Sequence, residues 1–163
     1  MIMRKTIFII VSVLLCLTSC VNKQKKFDEL TSSIYTNSAA TFGITFILCK
    51  DYVSATDYEM EQLGNAYIEE GIVDRAVKIL SKNDSLYNEA AKLDIDMSKL
   101  NDLKNFSDRN KNIWLGFKDK TLNSNTLLDF INYTQNDMQK LETEFKHPNE
   151  DEMTKIAKYI YGK

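Results

Sequence analysis

The sequence predicts an all-α protein, a small helical bundle with an antiparallel helical hairpin. Three observations predict it. Apolar residues recur at steps of three and four along most of the chain, the period of one helix face. One Pro and five Gly in 163 residues are too few for a β-sandwich, which turns at the end of every strand. A chain that is 44% hydrophobic and 27% charged has the composition of a globular domain, and its length suits one domain rather than two. The same figures exclude collagen-like, disulfide-dense and strongly disordered chains. A formal net charge of −2 gives no electrostatic footprint for a nucleic-acid partner.

The first element is a leader over residues 1–19. Arg4 and Lys5 make a positive start, and an apolar run follows from Ile7 to Leu17, interrupted by Ser12. Thr18, Ser19 and Cys20 close it, and polar Asn22, Lys23 and Gln24 follow. A positive head, a short apolar run and small residues form the layout of a secretory signal. The run is shorter than the roughly 20 apolar residues that span a bilayer.

Leu17-Thr18-Ser19-Cys20 resembles a bacterial lipobox: a branched apolar residue, two small residues, then Cys. The resemblance implies cleavage between Ser19 and Cys20, a diacylglycerol on the Cys20 thiol and a further acyl chain on its new amine. Such chemistry needs Cys, because a thiolate is nucleophilic near neutral pH. Two or three acyl chains hold a protein on a bilayer, where one binds only marginally. The expected location is therefore the bacterial cell envelope, lipid-anchored. Val21 stands where an Asp retains enteric lipoproteins at the inner membrane, so the resemblance favours the outer membrane.

Cleavage would leave 144 of the 163 residues and remove Arg4 and Lys5, so 19 basic groups would face 23 acidic ones. A chain of about 150 residues buries enough surface for an independent core. Cys16 leaves with the signal and Cys20 is lipidated. Cys49, within Phe46-Ile47-Leu48-Cys49, then has no intramolecular partner and reads as a buried, inert thiol. No CxxC or Cys/His cluster suggests zinc, and no cofactor is called for.

Residues 20–26 form the lipidated Cys and a polar tether that reads as a solubilising spacer, with contact of Lys23, Lys25 and Lys26 to anionic headgroups as the alternative. Residues 27–163 form a single helical domain. Phe27, Leu30, Ile34, Phe42, Phe46, Cys49 and Val53 suit one face of a long helix, with a strand as the alternative over 42–48. Ser54, Thr56 and Asp57 can cap a helix carrying Met60, Leu63, Tyr67 and Ile68, and Gly71 suits the position after its end. Ile72, Val73, Ala76, Val77 and Leu80 mark a short helix near 72–82. Leu86, Ala90, Leu93, Met97, Leu100 and Leu103 form a heptad-like seam. A polar break is expected at 107–112, followed by Ile113, Trp114, Leu115 and Phe117. Ser124 or Asn125 can cap a helix with Leu127, Leu128, Ile131, Met138, Leu141 and Phe145, which His147-Pro148 ends. Asn149 and Glu152 resemble a capping box for a last helix with Met153, Ile156, Ala157 and Ile160 on one stripe. The long seams near 85–106 and 125–146 are the expected hairpin.

Leu63, Gly64, Tyr67, Gly71, Ala76 and Leu80 sit at the spacing of a tetratricopeptide signature, and this stretch resembles one such repeat. The resemblance implies two antiparallel helices in close approach. Met60, Asn83 and Asn88 depart from the pattern, and no second copy begins at Met97.

Catalytic constellations are absent from the sequence: no G-x-S-x-G, no phosphate-binding Gly loop, no H-E-x-x-H. The one His, His147, reads as an exposed helix-end residue. Asp94 and Asp96 would diverge around a helix and make a poor acid/base pair. Glu69-Glu70 and Glu150-Asp151-Glu152 read as helix-end charges, and Glu142 and Glu144 as a solvated face. Residues 99–120 carry Lys99, Lys104, Arg109, Lys111, Lys118 and Lys120 against Asp102, Asp108 and Asp119, with Phe106, Trp114 and Phe117 interleaved. Trp114, Phe117, Lys111 and Lys118 are the candidate partner-docking patch; inward aromatics with solvated lysines are the alternative. Asp84-Ser85-Leu86 resembles a three-residue O-glycosylation acceptor on exported proteins of some gut bacteria, with Ser85 as the acceptor or a helix cap. Together these features suggest a protein that binds: an adaptor subunit of an envelope complex. An inhibitor or immunity protein against a secreted enzyme is the alternative, and an envelope hydrolase with carboxylates assembled by folding is a third.

Overall fold

The apolar stripe that begins at Phe27 becomes the axis of the molecule. The computed structural model describes residues 2–145 and 148–162, with side-chain surroundings from Cys20 onward except at Asp57. Its elements are α1 (Ile2–Val53), α2 (Asp57–Glu69), α3 (Ile72–Ala91), α4 (Met97–Asp119), α5 (Ser124–Glu144) and α6 (Glu150–Tyr161), with no strand among the described residues. The all-α bundle predicted by the periodicity is the fold.

Helix α1 packs against α3, α4, α5 and α6. Residues 20–26 are exposed turns of this same helix, and burial starts at Phe27. The helix also runs unbroken through 42–48, where a strand was the alternative. Its hydroxyl residues explain how a β-branched stretch stays helical. Thr31, Ser38 and Thr41 each donate to the carbonyl four residues back, so their buried hydroxyls are satisfied within the helix. Cross-helix contacts give the directions. Asp84–Lys111 and Asp74–Lys118 pair α3 antiparallel to α4, and Arg109–Asp137 and Lys140–Asp102 pair α4 antiparallel to α5. Phe42–Phe106 and Tyr52–Phe117 place α4 parallel to α1.

Two apolar clusters fill the interior. One gathers Phe27, Ile34, Tyr35, Leu100, Leu103, Phe106, Leu141 and Phe145 around the first buried turns of α1. The other gathers Ile44, Leu48, Cys49, Tyr52, Val73, Leu80, Trp114, Phe117 and Ile160 around its last turns. Between them lies a polar layer. Asn83 Nδ2 donates to Ser38 Oγ at 3.0 Å and Ser107 Oγ at 2.8 Å, and its oxygen accepts from Asn37 Nδ2 at 2.9 Å. Asn110 Nδ2 donates to the Ser38 carbonyl at 3.1 Å and Thr41 Oγ1 at 2.7 Å, and its oxygen accepts from Thr45 Oγ1 at 2.5 Å. Both amides use every donor and an acceptor, the condition under which a buried polar group is tolerated.

This layer corrects the expected break at 107–112. Helix α4 is continuous through it, and Ser107 and Asn110 turn inward because α1 supplies their partners. The heptad seam is corrected too. Helix α3 continues past 82 to Ala91, then the chain turns over Lys92–Asp96, with Asp94 at φ 51 in the left-handed region. Asp tolerates that conformation better than most residues. Asp96 caps α4 by accepting from the Lys99 N–H at 3.0 Å. The seam thus folds back on itself across an α3–α4 hairpin, and the α5 hairpin partner is the whole of 97–119. Asn123, rather than Ser124 or Asn125, caps α5 through the Thr126 N–H at 3.0 Å. Helix α5 ends at Glu144 with Phe145 extended, and His147 lies outside the described residues. Asn149 accepts from the Glu152 N–H at 3.1 Å, one arm of the expected box.

Candidate functional site

The residues singled out in the sequence fall in separate places. Cys20 is exposed on α1, one turn and more ahead of the first buried residue. Cys49 is fully buried, and burial pushes its thiol up to about 12, so it stays protonated. Ser85 is exposed in the middle of α3, so it caps no helix. Asp94 and Asp96 lie in the α3–α4 turn rather than on a helix.

The expected docking patch does not exist as a surface. Trp114 is 0% exposed and Phe117 5%, both in the core. They share the inner face of α4 with Ile113, and Phe117 meets the Tyr52 ring edge-on at 5.0 Å. The cations of this segment are also engaged. Lys111 pairs with Asp84 at 2.7 Å, Lys118 with Asp74 at 2.9 Å and Arg109 with Asp137 at 2.7 Å. Lys104 pairs with Asp108, and Lys99 lies over the Phe145 ring at 4.4 Å. Hydrogen bonding to their partners raises the Lys104 and Lys118 ammonium pKa values. Surface pairs of this kind contribute at most about 1 kcal/mol each; the Lys111, Lys118 and Arg109 pairs run along the seams of α4 with α3 and α5.

The site-like feature of the molecule lies at the far end of α1. Thr56 caps α2: its Oγ1 accepts from the Glu59 N–H at 3.4 Å, and Glu59 Oε2 accepts from the Thr56 N–H and hydroxyl, both at 2.8 Å. These bonds hold the Glu59 carboxyl below its ordinary pKa. At the other end Gly71, at φ 70, turns the chain into α3, a conformation that costs Gly little. Arg75 ties this corner down, donating from Nε to the Ile160 carbonyl and from Nη2 to the Glu70 carbonyl, both at 2.8 Å. One guanidinium so satisfies the last carbonyls of two helices.

Helix α2 lies across the bundle end, yet none of its described residues is fully buried. Beneath it is a pocket of about 360 Å³, lined by Tyr52 of α1, Met60, Gly64, Asn65 and Ile68 of α2, and Phe117 and Leu122 beyond. Glu61 and Lys120 face each other across its mouth at 3.8 Å. Leu122 folds over Gly116, where a Cβ would lie 2.6 Å from it, so Gly116 is needed for packing. Gly64 is different. A Cβ there would meet only Tyr52 Oη, at an ordinary 3.7 Å. Tyr52 is 2% exposed, and among the described residues its hydroxyl has no hydrogen-bond partner. Burial raises its pKa, so the phenol stays protonated. An unpaired buried hydroxyl costs about 1–3 kcal/mol.

The pocket holds one carboxylate at its mouth, not a pair. Among the described residues no cluster of His, Cys, Asp and Glu side chains lies close enough to hold a metal ion. Among the same residues no helix is long and apolar enough to cross a membrane. In the tetratricopeptide-like stretch Ala76 and Leu80 are fully buried, Leu63 is 39% exposed, and Gly64 faces α1. Comparison with known protein families, curated proteins and solved structures finds no match.

Proposed function

We propose that the chain is a lipid-anchored cell-envelope protein that works by binding, as an adaptor subunit of an envelope complex. The lipobox-like Leu17-Thr18-Ser19-Cys20 carries this reading. Three further observations support it. Cys20 is exposed on helix turns that stand clear of the core, so acyl chains there would not disturb the bundle. From Cys20 to Tyr52 the helix rises about 50 Å at 1.5 Å per residue. The end with α2 would therefore be presented far from the bilayer. Val21 in place of Asp favours the outer membrane.

The surface best placed for a partner is the outer side of α2. Tyr58 is 71% exposed there, and with Leu63, Asp51 and Gln62 it lines an open groove. It replaces the Trp114 patch in this reading. Ser85, exposed on α3, would be free to take a sugar.

Two experiments test the proposal. Cys20→Ala should lose metabolic acyl labelling and leave the membrane fraction; retained acylation would contradict the anchor. A photo-crosslinking residue at Tyr58 of the full anchored chain should capture one stoichiometric envelope protein. A blank at Tyr58 with capture elsewhere would displace the partner surface, and a blank everywhere would count against an adaptor.

A further inference from the structure

We infer that the pocket beneath α2 is a binding site for a compact amphipathic small molecule, one with an aromatic-sized apolar body and an acceptor for the Tyr52 hydroxyl. Its volume of about 360 Å³ is the size of a small-molecule site rather than of a packing defect. Met60, Ile68, Phe117 and Leu122 give it apolar walls, and Asn65 with the Glu61–Lys120 pair gives it a polar mouth. Apolar walls with a few placed polar groups are the make-up of ligand sites.

Two features of the pocket support a ligand there. Gly64 sits inside a helix, where Gly is less favourable than Ala. No close backbone or turn requires it, since only Tyr52 Oη lies within 4 Å of its missing Cβ. A longer side chain there would enter the space between α2 and Tyr52. Tyr52 is the second feature: the residue lines the pocket, and its buried hydroxyl has no partner among the described residues. An acceptor on the bound molecule would satisfy it. The hydroxyl has no water-accessible surface while α2 is seated, so the ligand would reach it with an outward shift of α2. That helix can shift at low cost, because none of its described side chains is fully buried.

The test uses the full chain in lipid nanodiscs with ¹³C-methyl methionine, the Met60 signal being identified by its loss in Met60→Leu. The probes are 4-fluorobenzamide, which carries a carbonyl acceptor, and fluorobenzene, which does not. A saturable shift of the Met60 methyl with 4-fluorobenzamide is expected. Gly64→Leu, which fills the space and favours the helix, should weaken it at least tenfold; Ile68→Trp should do the same from the other end of α2. Tyr52→Phe should reduce the preference for the amide over fluorobenzene by about tenfold, the size of one buried hydrogen bond. Circular dichroism melts confirm that each variant is folded. No saturable shift at Met60, a shift indifferent to both filling variants, or a preference unchanged by Tyr52→Phe would overturn the inference.

Discussion

The two ends of the bundle are built to different standards. Around the first buried turns of α1, Phe27, Tyr35, Leu100, Leu103, Phe106 and Leu141 close a dense core, with Tyr35 stacked on Phe145 at 5.5 Å. Around the last turns, the core is roofed by a helix none of whose described residues is fully buried, with a pocket beneath it. The difference teaches that a helix with a good apolar stripe can still be shallowly docked. Met60, Tyr67 and Ile68 in α2 have the same spacing as the deeply buried residues of α3 across Gly71. The difference lies in depth: α3 is clasped by α1, α4 and α6, whereas α2 rests shallowly on α3 and α4.

The sharpest way to break this comparison is a matched truncation. Leu103→Ala at the closed end should cost about 2–5 kcal/mol in denaturant unfolding. Leu63→Ala on α2 should cost under about 0.5 kcal/mol, as exposed positions do. Equal costs would mean that the two ends are equally packed.

The polar layer that divides the ends comes next. Asn83→Leu removes the partner of Ser107 and Asn37 at once and should lose about 2–3 kcal/mol. A neutral result would show that the layer is wet or rearranged. Arg75→Ala should lose about 1–2 kcal/mol by releasing carbonyls at the ends of α2 and α6. Amide exchange should rise around Glu70–Gly71 and Tyr161–Gly162 and stay unchanged around Leu103.

The smallest effect belongs to the α2 cap. Thr56→Ala should ease the opening of α2 by about 1 kcal/mol, read by amide exchange in α2 alone. The same bond gives a pH signature. The folded Glu59 carboxyl titrates below its ordinary value of about 4.5, so its help to α2 is complete above that value. It is lost as the pH falls through the lower, folded value. Exchange protection of α2 should therefore weaken in acid before α3 changes, and Glu59→Gln should flatten the dependence.

Much of the fold could be read in the chain: the long first helix, the Thr56 start, the Gly71 turn and the last stripe all follow from period and capping chemistry. The α3–α4 turn could not, because Leu93 and Met97 keep the apolar period through it and neither Gly nor Pro marks it. Asn83 reads only as a departure from a repeat signature, and Ser107 and Asn110 as a polar break, because the amides' partners, Ser38 and Thr41, lie dozens of residues away on α1. Trp114 and Phe117 read as a patch because of the lysines beside them, yet those lysines pair sideways while the rings point in. The pocket is a product of where α2 lands. Its one trace in the sequence is Gly64, a Gly inside a helix with no turn to make.

The proposed function depends on the anchor at Cys20. Mass spectrometry of the N-terminal peptide, taken from the protein in its own membranes, tests the anchor. The expected peptide begins at Cys20 and carries a diacylglycerol, with residues 1–19 removed. A peptide that reads through Ser19 into an unmodified Cys20 would contradict it.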